Sequence, residues 1–335
     1  MKKLLLDSNK NYYKANLHCH TTISDGRKTP QEVKDMYKEH GYSVVAFTDH
    51  DVLIPHPELA DEDFLPLNGY EMEISESSDS ASNEKKDCHL CFVALEPDNI
   101  TQVCWHRNDY LFANAKNYKY LVRFDETKPD FVREYTPQCI NRMIKEGRDN
   151  GFFVTYNHPV WSFETFEEYG RYHGMNAMEI LNSNTAYWGY PEYNERVYDE
   201  ILRGGERIYC ISTDDNHFGP DSFGGFIMIN AEKLEYKTIT EALVDGKFYA
   251  SQGPEIYELW YEDGKIGIEC ETCAKIAMCT GIRATDVRYP EGDKPLTSAV
   301  FNVIEGCKYF RLTVTDSSGK HANTSSYFID ELGTK

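Results

Sequence analysis

No stretch of the 335-residue sequence approaches the roughly 18 uninterrupted apolar residues of a membrane span, so no transmembrane helix is expected. Basic runs are missing too. Lys and Arg total 35 against 55 Asp and Glu, and the resulting charge of −20 repels a nucleic-acid backbone, so no nucleic-acid partner is expected. The sequence also has no G-x-S-x-G nucleophile elbow and no G-x-x-x-x-G-K-[ST] phosphate loop, which removes the serine-hydrolase and P-loop readings. Three leucines near the start cannot form the apolar stretch of a signal peptide, so a cytoplasmic location is expected. Its ten cysteines then read as reduced thiols rather than a disulfide framework. Cys88-x-x-Cys91 and Cys270-x-x-Cys273 have zinc or redox spacing, but both lie in strand-like runs without a turn.

What is present is an ordinary globular composition, 41% hydrophobic and 27% charged, with enough chain for one large unit and a smaller one. Residues 11–20 read as a strand. Thr29-Pro30-Gln31-Glu32 then supplies an N-cap, a first-turn proline and an N3 glutamate, followed by Val33, Met36, Tyr37 and His40 on one face and a stop at Gly41. A second apolar strand over 43–48 completes a βαβ unit, which predicts a parallel sheet. The alternation continues with strands near 65–73, 88–95, 152–156, 177–181, 207–212 and 226–229. Helices are expected after Thr136-Pro137, over 194–202, and from a capping box at Thr238-x-x-Glu241 to Gly246. Residues 98–130 form an irregular aromatic insertion, of a kind that shapes pockets or packs as a surface excursion. From 254 the pattern changes to alternating strands with turns at 262–265 and 316–319, so residues 254–335 read as a small antiparallel β domain after a 1–253 α/β unit.

The chemistry concentrates where these strands end. Residues two apart on a strand face one side, so His18 and His20 can serve one ion while Cys19 faces away. Asp25 follows that strand and His50 ends the next, the rim where β/α barrels assemble active sites. Glu71, His89, His158, Asp215 and His217 each follow or end a later apolar run. Imidazoles and carboxylates together suit zinc, iron or manganese, and a carboxylate can bridge neighbouring ions. His40, His56, His106, His173 and His321 lie outside this pattern and read as structural. Asp51 and Asp214, each beside a proposed donor, are candidates for orienting imidazoles or relaying protons. Arg27, after Ser24-Asp25-Gly26, is a candidate partner for a substrate phosphate.

With His18-Cys19-His20, Thr48-Asp49-His50-Asp51, the later histidines and Asp215-Asn216-His217 in this order, residues 12–253 resemble the PHP (polymerase and histidinol phosphatase) family. The resemblance implies a distorted β/α barrel of about seven units with two to three divalent metals (Mn, Fe or Zn) at its rim. It assigns His18, His20, Glu71 and Asp215 to one metal, Asp25, His50 and His217 to a second, and Glu71, His89 and His158 to a third. Asp25 stands where many members have histidine. The implied activity is metal-assisted hydrolysis of a small anionic phosphoester, with Asp215 and His217 at the catalytic centre. The segments 249–254 and 315–320 are similar to a carbaryl-hydrolase-like subgroup, which points instead to carbamate or other ester substrates. A metal-stabilised binding module without turnover is a third reading, disfavoured because structural sites are usually closed.

Overall fold

The computed structural model describes residues 2–76 and 85–333. Besides a two-residue pair in the insertion, Thr101–Gln102 with Arg123–Phe124, its strands are β1 (Lys3–Leu6), β2 (Asn11–Asn16), β3 (Val44–Phe47), β4 (Leu65–Ser75), β5 (Asp87–Ala94), β6 (Phe152–Tyr156), β7 (Ala177–Asn182) and β8 (Tyr209–Thr213). They are followed by β9 (Phe226–Ala231), β10 (Phe248–Ser251), β11 (Ile256–Glu262), β12 (Lys265–Cys273), β13 (Lys275–Thr280), β14 (Asp286–Arg288), β15 (Leu296–Asn302), β16 (Tyr309–Thr315), β17 (His321–Thr324) and β18 (Tyr327–Phe328). Helices are few: α1 (Pro30–Glu39), α2 (Pro137–Asp149), the short α3 (Ser183–Tyr187), α4 (Glu195–Gly204) and α5 (Tyr236–Val244) are the ones that matter below.

The result is a mixed α/β fold dominated by one large sheet, ordered β8-β7-β6-β5-β4-β3-β2-β9-β10-β17-β16-β13-β14, with β18 on β16. The expected parallel sheet is only partly realised. β2, β3 and β4 run parallel, as do β6, β7 and β8, but β5 is antiparallel to both β4 and β6. Antiparallel neighbours need no crossover helix between them, unlike the parallel pairs on either side. Beyond the ends of β2 and β8, Cys19 bridges Asn216 in parallel, with Asp215 N donating to His18 O at 2.9 Å and His20 N to Asn216 O at 3.2 Å. The two edges of the β2-to-β8 run therefore meet where the candidate site lies.

Helix α1 begins as its sequence dictates. Thr29 accepts from Glu32 N while the Glu32 carboxylate accepts from Thr29 N, and Val33 and Tyr37 face the interior. The capping box read at Thr238 is not used. Helix α5 starts three residues earlier, with Glu235 rather than Thr238 at its N-cap and no side-chain cap bond, so Thr238 lies within the helix. The apolar face of α5, with Ile239, Ala242 and Leu243 buried, sets where it begins more strongly than the cap pattern does.

The hairpins expected late in the chain are present. β11 and β12 are joined by a tight turn in which Asp263 and Gly264 both take positive φ, 47° and 76°, and β16 pairs with β17. The large sheet runs on through the β10–β17 ladder into these C-terminal strands, and N-terminal β1 joins β11, β12 and β15 in a second, four-stranded sheet. A core of Leu5, Leu6, Ile266, Ile268, Phe301, Phe310, Leu312 and Val314 lies between them, separate from the core around Ile140, Val154, Met178 and Ile211. No helix among the described residues is long and apolar enough to cross a membrane.

Candidate metal centre

Short-range backbone geometry brings the donors together. His18 and His20 lie just past β2, their Nε2 atoms 3.1 Å apart, while Cys19 between them is buried with Val33 and Tyr37 on the other side. Gly26 allows the following loop to fold back, because a Cβ there would lie 2.6 Å from the carbonyl carbon of His20. Asp49 holds the same loop, accepting from Thr21 N at 2.7 Å, Thr21 Oγ1 at 2.8 Å and Ser24 Oγ at 2.7 Å.

Glu71, on β4, is the hub. Its Oε1 lies 3.1 Å from His18 Nε2, 3.1 Å from His89 Nδ1 and 3.5 Å from His158 Nε2. Its Oε2 lies 3.2 Å from His20 Nε2 and 3.3 Å from His50 Nδ1. Asp215, past β8, places Oδ1 3.0 Å from His20 Nε2 and 3.2 Å from His18 Nε2. Asp25 and His217 close the other side, Oδ2 to Nε2 at 3.3 Å. Three overlapping groups have donor atoms close enough to share an ion: His18, His20, Glu71 and Asp215; His20, Asp25, His50 and His217; and His50, Glu71 and His89. None of the ten cysteines enters them.

These atoms face one another without satisfying one another. Asp215 Oδ1, His50 Nδ1 and His89 Nε2 are buried and have no hydrogen-bond partner of good geometry. Leaving a buried polar atom unpaired costs about 1–3 kcal/mol, and three in one cluster imply that something else fills the shared space. Donors about 2.1 Å from an ion lie roughly 3 Å apart, the spacing seen here. The residues present therefore fit divalent transition ions.

Without an ion, protons carry the compensating charge. Burial pushes His18 and His20 down, but Asp215 and Glu71 outweigh it and raise both well above the ordinary imidazole range. His89 likewise resists burial through Glu71 and is raised to about 9. His50, desolvated and beside His20, drops to about 4. Glu71 and Asp215 are held well below the usual carboxylate range by the imidazoles around them, in spite of burial. A cluster in which cations lower the acids and acids lift the bases is one that divalent ions can enter by displacing protons.

Backbone strain gathers at the same place. Asp51, His158 and Asp215 take φ of 63°, 25° and 53°, conformations that residues with a Cβ rarely adopt.

Of the remaining sequence candidates, Asp51 and Asp214 do not orient imidazoles. Asp51 pairs with Arg133 at 2.7 Å and accepts from Phe112 N at 3.2 Å, anchoring the aromatic insertion. Asp214 turns to the far side of its strand, accepting from Tyr37 Oη at 2.9 Å and from the backbone N–H of Gly224 and Gly225, and burial raises it to about 6. Asp214 continues the alternation of β8, which turns it away from the cluster, whereas Asp51, at a φ of 63°, is held by Arg133. Arg27 is exposed, with its guanidinium 5.7 Å from the Phe218 ring. The five histidines read as structural have partners elsewhere, His40 at Met36, His56 at Glu58, His106 at Asp109, His173 at Glu206 and His321 at Thr315.

Sequence reasoning missed the second ring of residues. Glu179 on β7 accepts from His18 Nδ1 at 2.7 Å, Thr213 Oγ1 at 2.6 Å, His158 N at 2.8 Å and Asn182 Nδ2 at 2.9 Å, turning His18 Nε2 into the cluster. Glu192 accepts from the N–H groups of Val160 and Trp161. Trp161 packs edge-on against His89 and His158, and the insertion brings Phe112 against His50. A lone Glu in an apolar strand, such as Glu179 in Ala177–Asn182, was the one local signal available. The insertion also encloses, with α2, a separate cavity of about 750 Å³ lined by residues such as Trp105, Phe124 and Arg142.

No family model and no curated protein matches this sequence. Among solved structures, it is similar to a two-domain protein from Bacteroides vulgatus containing a predicted PHP-like metal-dependent phosphoesterase, at 15% identity and a TM-score of 0.44 over 97% of this chain and 96% of that one. It is also similar to a protein from Bifidobacterium adolescentis described as a metal-dependent phosphoesterase, at 15% identity and a TM-score of 0.37 over 61% of this chain and 87% of the other. An amidohydrolase from Chromobacterium violaceum with bound sulfate and no metal matches at 18% identity and a TM-score of 0.39, over 62% of this chain and 89% of that one.

Proposed function

We propose that this protein is a metal-dependent hydrolase, and within that class a phosphoesterase acting on a small phosphorylated molecule. The observation that carries the proposal is the buried cluster around Glu71, whose donor groups overlap and leave Asp215 Oδ1, His50 Nδ1 and His89 Nε2 unpaired. Strands β2 to β8 are read as a distorted barrel, its rim formed where Cys19 meets Asn216. His18, His20, Glu71 and Asp215 would hold one ion, Asp25, His50 and His217 a second, and Glu71, His89 and His158 a third.

Two to three divalent ions there would supply water activation and neutralise charge developing on the substrate. This chain's own residues do the rest. Glu179 keeps His18 Nδ1 occupied so that Nε2 faces the cluster, and the Asp215 backbone carbonyl does the same for His217 Nδ1 at 2.7 Å. Phe112 and Trp161 wall the cluster from water at His50 and at His89. Arg27, at the exposed edge, is assigned to the substrate's anionic oxygens. Adjacent cation positions favour an anionic ester over a neutral one, since the negative charge of a phosphate is met directly. Carbamate and carboxyl-ester cleavage is the second reading, suggested by the C-terminal similarity noted in the sequence.

Protein purified without chelator should carry about two to three equivalents of transition metal, read by elemental analysis. Less than about one equivalent after reconstitution rejects the multinuclear centre. Phosphomonoesters should turn over faster than aryl esters or carbamates with manganese, iron or zinc supplied. Rapid cleavage of an aryl carbamate with every phosphoester inert would replace the phosphoesterase reading by the second one.

A further inference from the structure

The cluster is not equally sealed on all sides. The side chains of Asp25 and His217 are 23% and 21% exposed, whereas those of His18, Glu71, His89 and His158 are at most 6% exposed. The open side is bordered by aromatic rings, two of them exposed. Tyr187 and Trp188, at the end of α3, are 53% and 64% exposed. Their ring centroids lie 5.5 Å and 5.6 Å from that of Phe218, the residue after His217.

This patch is tied to the centre rather than lying loosely on the surface. Asn182 caps α3 through Thr185 N and donates to Asp215 Oδ2 at 3.2 Å, so the helix carrying Tyr187 is positioned by a proposed metal donor. Asp221 gathers the N–H groups of His217, Phe218 and Gly219, which sets the Phe218 ring beside the open edge. Arg27 N donates to His217 O at 2.7 Å, and its guanidinium stands over Phe218. Among the described residues Arg27 has no carboxylate partner, in a chain with a net charge of −20. Exposed aromatic rings beside an unpaired guanidinium recognise a flat, electron-rich group joined to an anion.

We propose that Tyr187, Trp188, Phe218 and Arg27 form a subsite for a planar aromatic leaving group, so that the substrate is the phosphomonoester of an aromatic alcohol. This rests on the phosphoesterase reading above. In the reaction, water's oxygen forms the new bond to phosphorus. The bond from phosphorus to the aryl oxygen breaks with its electron pair on that oxygen, which takes up a proton and leaves as the alcohol, with inorganic phosphate as the other product.

The test uses metal-loaded protein and two inert probes, phenylphosphonate and methylphosphonate, measured by equilibrium dialysis. Phenylphosphonate should bind about tenfold more tightly, as stacking on an aromatic platform predicts. Tyr187→Ala with Trp188→Ala should abolish that preference and leave methylphosphonate binding unchanged. Trp188→Ala alone, at an exposed position where folding is not at stake, should remove a measurable part of it. In steady-state assays the double variant should raise KM for phenyl phosphate while leaving kcat/KM for glycerol phosphate as it was. Equal binding of the two phosphonates, or a preference that survives in the double variant, overturns the subsite. Failure to cleave any phosphomonoester while the phosphonate preference holds overturns the phosphoesterase reading and leaves the aromatic subsite in place.

Discussion

Arg311 and Asp215 are both almost wholly buried charged residues, yet their surroundings are built differently. Arg311 donates to both carboxylate oxygens of Asp199 at 2.9 Å and to Thr313 Oγ1 at 3.0 Å, so it is paired along its whole guanidinium edge. Glu164 is treated in the same way, accepting hydroxyls from Tyr135 at 2.8 Å, Tyr156 at 2.6 Å and Tyr172. Asp215 is left with an unpaired oxygen, a positive φ and imidazoles facing it. Buried charge that is fully paired serves the fold, here joining β16 to α4, whereas buried charge left open is kept for a ligand.

The largest effect should come from breaking the open kind. Asp215→Ala should lower hydrolysis by more than the roughly 100-fold that loss of an outer partner costs, with metal content reduced and the circular dichroism spectrum kept. An active Asp215→Ala variant with full metal content would place the chemistry elsewhere. Breaking the closed kind should do the reverse. Arg311→Met leaves the Asp199 carboxylate half-buried without its partner and should cost about 3 kcal/mol of stability in denaturant unfolding, with kcat unaffected. If Arg311→Met unfolds at the same denaturant concentration as the unsubstituted protein, the ion pair contributes nothing and the contrast fails.

The smallest effect is a pH dependence that separates the two. Glu71 lifts His89 from 6.5 to about 9 against the effect of burial, so its folded-state value lies above its unfolded one. That contribution is fully present below about pH 6.5 and is lost as pH rises through about 9. Chelator-treated protein should therefore lose thermal stability across this window, while metal-loaded protein, with His89 held neutral, should lose less. Arg311 stays charged throughout, because Asp199 raises it further above an already high value in spite of burial. Parallel melting curves with and without metal would show that the cluster does not titrate as described.

Much of the candidate site was legible because its donors follow local rules. Period-2 geometry put His18 and His20 on one side and Cys19 on the other, and the ends of apolar runs marked His50, Glu71, His89 and Asp215, whereas His158, marked in the same way, lies beside Glu71 but outside the three groups that could share an ion. Asp214, a sequence candidate because it stands beside Asp215, faces Tyr37 rather than the cluster. Helix α1 was legible from its capping box, and so was the presence of α5, but not its start, since Thr238 has the cap pattern and lies within the helix. The direction of β5 could not be read because apolar runs look alike whichever way they run, and which strands they pair with is set by the tertiary structure.

The sequence by itself determined the kind of chemistry, because imidazole and carboxylate types at strand ends are properties of residues and of short-range periodicity. Only the tertiary structure decided which of them share an oxygen of Glu71, which side of the cluster stays open, and that Glu179, Asp49 and Trp161 support it. Those relations join different strands and loops, in the case of Glu179 and His18 more than a hundred residues apart. Distances of that kind are set by strand order and packing, and no local pattern carries them.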